Sequence, residues 1–333
     1  MIPEAKKSAV ARALREAFGV TEFEDIRTLT AGLSPAHVFR IVVRGCPYLL
    51  RVVMDTGAAA GPGRGDQTNH YACMKLGAEA GIAPRVWYTS TEDRVSITDF
   101  VEARPLPRTE ALARLPLTLR ALHALPPFSK PKNTISPDAF IRRFQDAKIL
   151  PESETAELFE RYARVTSVYP RDTDMVSCHN DLKPENILFD GDRVWLVDWE
   201  AAFLNDRYFD LAIVANFIVT NEAEEETYLR TYFGEPAGEY RLARFYLMRQ
   251  TMHMLGAIVF MLIGSAGKPI ESNAKAPAFR DFHDGIWAGD ISLAGNEAKL
   301  QYALVHMNQL LENMRTVRFQ DALRIVSDRH ASA

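Results

Sequence analysis

Between Cys178 and Glu200 the chain carries two carboxylates and a carboxamide at spacings that suit one kind of chemistry. The run reads Cys178-His179-Asn180-Asp181-Leu182-Lys183-Pro184-Glu185-Asn186-Ile187-Leu188, and Val197-Asp198-Trp199-Glu200 follows it. Asp181 is a candidate general base. An alcohol is a poor nucleophile, and a carboxylate within hydrogen-bond reach can take its proton as the bond to phosphorus forms. Asn186 can offer a carboxamide oxygen to a hard cation without adding charge. Asp198, 17 residues after Asp181, ends the apolar stretch Val194 to Val197 and supplies an anionic ligand to the same ions. Magnesium needs few protein oxygens, because water and phosphate complete its octahedron. The spacing His-x-Asp-x-x-x-x-Asn is a phosphoryl-transfer pattern and implies ATP and Mg2+.

Other positions offer supporting chemistry. His179 either hydrogen-bonds the backbone and shapes the loop, or acts as a metal ligand or catalytic base. Lys183 either neutralises charge on the transferring group or faces solvent. Arg51 places a cation on the otherwise apolar strand Leu49-Leu50-Arg51-Val52-Val53. A charge there needs a partner, and nucleotide phosphates are favoured over an edge position facing water. The turn Thr30 to His37, with Gly32 and Ser34, can cover phosphates through backbone N–H groups. Backbone groups of Asp99 and Val101 form the natural hinge for adenine. The cluster Gly61-Pro62-Gly63-Arg64-Gly65 has no strand before it and no Gly-Lys-Ser after it, so it is not a P-loop. Glu222, Glu224, Glu225 and Glu226 suit the positive end of a helix better than an acidic lid. Tyr208, Phe209, Phe245, Tyr246 and Trp287 read as core, with a cage for a quaternary ammonium as the alternative.

The elements that must position these groups follow from periodicity. A helix is expected over 4–18, then a hairpin from Phe39 to Val43 and Tyr48 to Met54 around Arg44-Gly45-Cys46-Pro47. Ala58 to Gly65 reads as a mobile loop, followed by a helix over 68–80 and a second hairpin over 85–89 and 94–100. Further on, only 175–178, 187–189 and 194–197 read as strands, the last two joined by the turn Asp190-Gly191-Asp192. Helices are expected over 109–124, 137–147, 151–166, 208–219, 221–233, 237–264 and 296–327. The pattern is α+β and bilobal. A β-rich nucleotide-binding lobe over 1–101 meets a mostly helical catalytic and substrate lobe over 102–333, with the junction near 99–104.

Composition sets limits. The 333 residues are 47% hydrophobic and 25% charged with a net charge of −4, so there is no basic field to recruit nucleic acid. Met252 to Gly264 is the most apolar run, but it is interrupted by His253, is too short to span a bilayer and reads as a buried helix. The N-terminus lacks the apolar core of a signal peptide. Cys46, Cys73 and Cys178 have no metal-ligand spacing, and an odd count argues against a disulfide framework. A cytoplasmic protein is expected.

From about Leu29 to Phe260 the chain resembles the aminoglycoside phosphotransferase and choline/ethanolamine kinase superfamily, which has a protein-kinase-like fold. The resemblance is tight from Cys178 to Asp210. His179-Asn180-Asp181 is similar to the choline kinase catalytic loop. Asp198-Trp199-Glu200, followed by Asn205-Asp206-Arg207-Tyr208-Phe209-Asp210-Leu211-Ala212, resembles the bacterial choline kinase-like branch. The resemblance implies that Asp181 is the base, that Asn186 and Asp198 hold magnesium, that Arg51 meets ATP phosphates and that Asp210 steadies the catalytic segment. The implied acceptor is the hydroxyl of choline, ethanolamine or a related amino alcohol, in a pocket edged by Glu200 and Asp206. An aminoglycoside or other small alcohol, and a nucleotide-binding pseudokinase, are the alternatives. A protein kinase is disfavoured, because Asn180 stands where an arginine is expected, Trp199-Glu200 replaces Phe-Gly and no Ala-Pro-Glu follows. The chain departs from the superfamily twice. The glycine loop reads Ala31-Gly32-Leu33-Ser34-Pro35, and Asn69 or His70 stands where a helix glutamate normally pairs with the phosphate-binding cation.

Overall fold

The computed structural model describes residues 1–29, 36–54, 67–130, 137–270 and 276–331. Gly32 and Ser34, with the rest of the expected phosphate-covering turn, lie outside the described residues, as does the glycine cluster at 61–65. After one 3-10 turn, helix α1 (Lys7–Phe18) buries Ala9, Val10, Ala13 and Leu14. It ends at Gly19, whose φ of 73° suits a residue without a Cβ.

Five strands follow: β1 (Asp25–Leu29), β2 (His37–Val43), β3 (Cys46–Val52), β4 (Val86–Ser90) and β5 (Val95–Asp99). They form an antiparallel sheet in the order β1-β2-β3-β5-β4. Arg44 and Gly45 both have positive φ, 51° and 75°, the conformation a two-residue hairpin needs. Side-chain alternation then sorts the residues of the sheet. Phe39, Ile41, Leu50, Val52, Val95 and Ile97 join α1 in one apolar cluster. Arg51, one residue out of phase with Leu50 and Val52, projects from the opposite face.

Helix α2 (Gln67–Glu79) lies between β3 and β4 in sequence but packs elsewhere. Its Tyr71, Cys73 and Met74 share a cluster with Leu196, Trp199 and Leu211 of the helical part. Gly77 lets α2 approach closely, since a Cβ there would lie 2.6 Å from the Trp199 ring.

The remainder is mostly helical: α3 (Arg108–His123), α4 (Pro137–Ala147), α5 (Glu152–Val168), α6 (Arg207–Ile218), α7 (Glu222–Phe233), α8 (Gly238–Gly264), α9 (Phe279–Ala288), α10 (Asn296–Met314) and α11 (Val317–Ala331). Four short strands interrupt it: β6 (Met175–Cys178), β7 (Ile187–Phe189), β8 (Val194–Leu196) and β9 (Phe203–Asp206), paired as β6-β9 and β7-β8. Helix α8 is long and apolar enough to cross a membrane, with a mean hydropathy of 1.3, yet 61% of that stretch is buried within the protein.

Three expectations need correction. The single helix over 296–327 is two, because Thr316 breaks it. The Thr316 hydroxyl accepts from Phe319 N–H at 3.3 Å, starting a new helix. Strand β9 and helix α9 form where the sequence pattern predicts neither a strand nor a helix.

Candidate active site

The catalytic segment is shaped by backbone contacts made largely within 35 residues of chain. Strands β7 and β8 pair across a turn closed by Asp190. Its Oδ1 accepts from the backbone N–H of Asp192 and Arg193 at 2.8 and 2.7 Å, and its Oδ2 from Trp195 Nε1 at 2.7 Å. These donors hold the Asp190 carboxyl down at about 2. The hairpin sets Asn186 beside Asp198, because Val197 N–H donates to the Asn186 carbonyl at 3.0 Å. His179 Nε2 bonds the Val197 carbonyl at 2.9 Å. His179 is fully buried, and its Nδ1 has no hydrogen-bond partner among the described residues.

Asp181 and Asn186 face each other. Asn186 Nδ2 donates to the Asp181 carbonyl at 2.7 Å and to Asp181 Oδ2 at 3.1 Å. With the amide nitrogen committed, Oδ1 is the atom that can meet a cation. Lys183 Nζ lies 3.1 Å from Asp181 Oδ2, so it stands beside the candidate base. Asp198 has φ 64° and ψ 65°, a left-handed conformation that is costly without glycine and that collects at functional sites. Its Oδ1 is buried with no hydrogen-bond partner among the described residues. A buried carboxylate oxygen without a donor is expensive, and a bound cation is what such an atom fits.

Asp210, on α6, holds the loop from beneath. It is wholly buried, and its carboxylate accepts from His179 N–H and Asn180 N–H, both at 2.8 Å. Asn180 has φ 64°. Its Nδ2 reaches the carbonyls of Cys178, Ala201 and Phe203, and its Oδ1 accepts from Asn205 at 2.7 Å. Asn180 thus ties the Asp181 loop to the segment after Asp198, a role the spacing did not reveal. His123, Cys178 and Asp210 also cluster, but each has protein partners. His123 Nδ1 meets Tyr232 Oη at 2.7 Å, and the Cys178 thiol meets the Asn205 carbonyl at 3.5 Å. Burial, then Asp210, pushes that thiol well up, so it stays protonated.

On the facing side, Arg51 is 9% exposed. Its guanidinium pairs with the Glu200 carboxylate and lies 3.4 Å from Gln67 Oε1. His70 is buried nearby, with Nδ1 unpartnered among the described residues. Burial, then the Arg51 charge, holds its pKa down at about 3, so it is a neutral imidazole. Asn69 works differently. Its Nδ2 donates to the Ala202 carbonyl at 2.8 Å, fastening α2 to the catalytic segment. Asp99 ends β5. Its N–H is committed to the Arg85 carbonyl at 2.9 Å, so a backbone contact from Asp99 to a base must use its carbonyl. Val101 lies two residues on, outside any strand or helix.

The aromatic residues are mostly core. Tyr208, Phe245 and Tyr246 are buried, and the cation among the tyrosines is the protein's own. Arg244 lies 4.6 Å from the Tyr208 ring and 5.3 Å from Tyr169, paired with Asp174 and, at 2.9 Å, with Asp206. Asp206 also caps α6 by accepting from Tyr208 N–H at 2.9 Å. It is therefore a buried structural acid, and the expected pocket edge of Glu200 and Asp206 is taken up by Arg51 and Arg244. Glu225 is likewise buried, between Arg249 and Arg318.

This arrangement, a sheet and a helical body meeting at the loop that carries Asp181, Asn186 and Asp198, is that of a small-molecule kinase. Residues 25–246 match the profile of the phosphotransferase enzyme family, and the chain belongs to that family. The LicA protein of Haemophilus influenzae is 42% identical over 55 residues, which cover 16% of this chain and 21% of that protein. The matched stretch is thus about a fifth of that relative's length. A choline/ethanolamine kinase family protein from Mesorhizobium loti has a similar structure, with a TM-score of 0.66 at 20% identity over 97% of this chain and 99% of that one. Choline kinase LicA from Streptococcus pneumoniae gives a TM-score of 0.57 at 16% identity over 92% and 100%.

Proposed function

We propose that the protein transfers the γ-phosphoryl group of ATP, with magnesium, to the hydroxyl of a small amino alcohol such as choline or ethanolamine. One observation carries the reading: Asp181 contacts both Asn186 and Lys183, and Asp198, whose Oδ1 has no hydrogen-bond partner among the described residues, follows Val197, which bonds the Asn186 carbonyl. Asp181 receives the acceptor's hydroxyl proton. Lys183 offsets negative charge beside it, and Arg51 holds the phosphates. Gly32, Ser34, Asp99 and Val101 are proposed to complete the nucleotide contacts through backbone and hydroxyl groups. Asn186 Oδ1 and Asp198 would hold Mg2+, which when bound neutralises charge on the phosphates. The acceptor class is supported by what the similar structures are described as, choline and ethanolamine kinases.

The test is ATP turnover with magnesium against choline, ethanolamine, other amino alcohols and aminoglycosides. The Asp181→Asn enzyme should lose about 10²-fold or more in kcat, the usual scale for a positioned base. Turnover with an aminoglycoside alone would reassign the acceptor. ATP binding with no acceptor phosphorylated would make the protein a nucleotide-binding pseudokinase.

A further inference from the structure

The phosphate-binding cation needs a carboxylate to hold it, and the helix that should supply one does not. A lone arginine on a strand has several rotamers. An anion fixed at its side selects one and offsets the cost of withdrawing the charge from water. On α2, Gln67, which is neutral, contacts Arg51, and Tyr71 and His70 lie close enough to feel its charge, but none of the three carries a carboxylate. The carboxylate that reaches Arg51 is Glu200, on the short 3-10 turn Trp199–Ala201 that directly follows Asp198.

We propose that Glu200 is a positioning residue that fixes Arg51 for the nucleotide phosphates, in place of an acid on α2. This rests on the phosphotransferase reading above. Three features support it. The 3-10 turn is immobilised: Trp199 is buried, its Nε1 donates to the Leu196 carbonyl at 3.2 Å, and its ring lies against Gly77 of α2. Asn69 clamps the same turn to α2 through the Ala202 carbonyl. The Arg51 and Glu200 side chains are both largely withdrawn from solvent, 10% and 14% exposed, so the pair is not a screened surface contact.

The consequence is a coupling that a helix acid would not produce. The residue that steadies the phosphate-binding cation and a proposed magnesium ligand, Asp198, sit two residues apart on one rigid segment. A shift of that segment therefore disturbs phosphate and metal contacts together.

The measurement is equilibrium binding of ATP, with EDTA and then with magnesium, to wild type, Glu200→Gln, Glu200→Asp and the double variant His70→Glu/Glu200→Gln. Glu200→Gln should weaken ATP binding about 10-fold even in EDTA. The double variant, which returns an acid to α2, should recover most of that loss. Undiminished ATP affinity of Glu200→Gln in EDTA would overturn the proposal. So would a loss confined to magnesium-containing buffer, which would make Glu200 a metal ligand instead. If the double variant melts well below wild type, Glu200→Asp decides: it keeps the charge and should bind ATP more tightly than Glu200→Gln, and equal weakening of both overturns the assignment. Binding is read without any acceptor present. A wild type that binds ATP through this pair yet phosphorylates nothing would sink the kinase reading and leave the pairing intact.

Discussion

The two sides of the cleft are built by different means. On the helical side, the segment bearing Asp181, Asn186 and Asp198 is held mainly by contacts close in sequence, such as the anchor from Asp210 to the His179 amide, 31 residues away, with the bond from Leu196 N–H to the Ile82 carbonyl as a longer tie. On the sheet side, the partner of Arg51 lies 149 residues along the chain. α2, although flanked by sheet strands in sequence, buries its apolar face in the core of the helical body. The sheet and α1 keep a core of their own. A local constellation can be specified by spacing alone. A constellation assembled from two cores depends on how they dock, and the carboxylate that meets Arg51 comes from the opposite surface.

Breaking the local side should have the largest effect. Asp210→Asn keeps size and removes the charge. It also turns an amide donor toward one of the two backbone N–H groups that the carboxylate accepts from, leaving that group without its acceptor. A buried carboxylate with charge-assisted bonds is worth about 3 kcal/mol when lost in this way. Urea unfolding should show that loss, and kcat should fall along with it because the Asp181 loop is no longer anchored. A variant as stable as wild type would mean that Asp210 does not hold the loop.

What the sequence disclosed follows the same division. The hairpin after Asn186 was legible because Asp190-Gly191-Asp192 is a turn signal between apolar runs, and the first sheet hairpin because Arg44-Gly45 punctuates one. Asp210 was legible through its motif. Strand β9 was not: Phe203-Leu204-Asn205-Asp206 has no alternation of its own and becomes a strand only by pairing with β6. Nor were the partners of Arg51 and Arg244, since each depends on a surface contributed from far along the chain. Tyr208 could be named from the sequence, but neither Tyr169 nor the Arg244 that lies against both could. His179 was ambiguous for the opposite reason: either role suits the pattern, and its burial and its bond to the Val197 carbonyl depend on packing that spacing does not encode.

The docked side can be strained without touching any charged residue. Gly77→Ala places a methyl group 2.6 and 2.8 Å from two Trp199 ring carbons and 3.2 Å from the Ala83 Cβ. Trp199 is buried and hydrogen-bonded, so the ring has little room to withdraw. Overpacking of this kind costs about 1–3 kcal/mol, offset by up to about 1 kcal/mol of better helix propensity. The melting temperature should fall modestly. KM for ATP should rise more than kcat falls, because α2 and the Glu200 turn are pushed apart while Asp181 stays anchored. Equal changes in both constants would show that the two sides are less separable than their cores suggest.

Asn69→Ala probes the same junction most gently. It removes the 2.8 Å bond to the Ala202 carbonyl together with the bonds that Asn69 Oδ1 accepts from the Ser129 hydroxyl and the Cys73 thiol, and leaves that carbonyl with the weak Cys73 thiol contact at 3.9 Å. A part-buried hydrogen bond of this type contributes about 1 kcal/mol. The junction keeps the Trp199 contact and the Arg51–Glu200 pair, so ATP affinity should fall only about 2-fold to 5-fold, with kcat unchanged. Combined with Gly77→Ala, the two losses should exceed their sum, because both loosen the seating of α2 on one 3-10 turn. Strict additivity in urea midpoints would mean that α2 yields at each contact independently and that the turn bearing Glu200 is not seated as one unit.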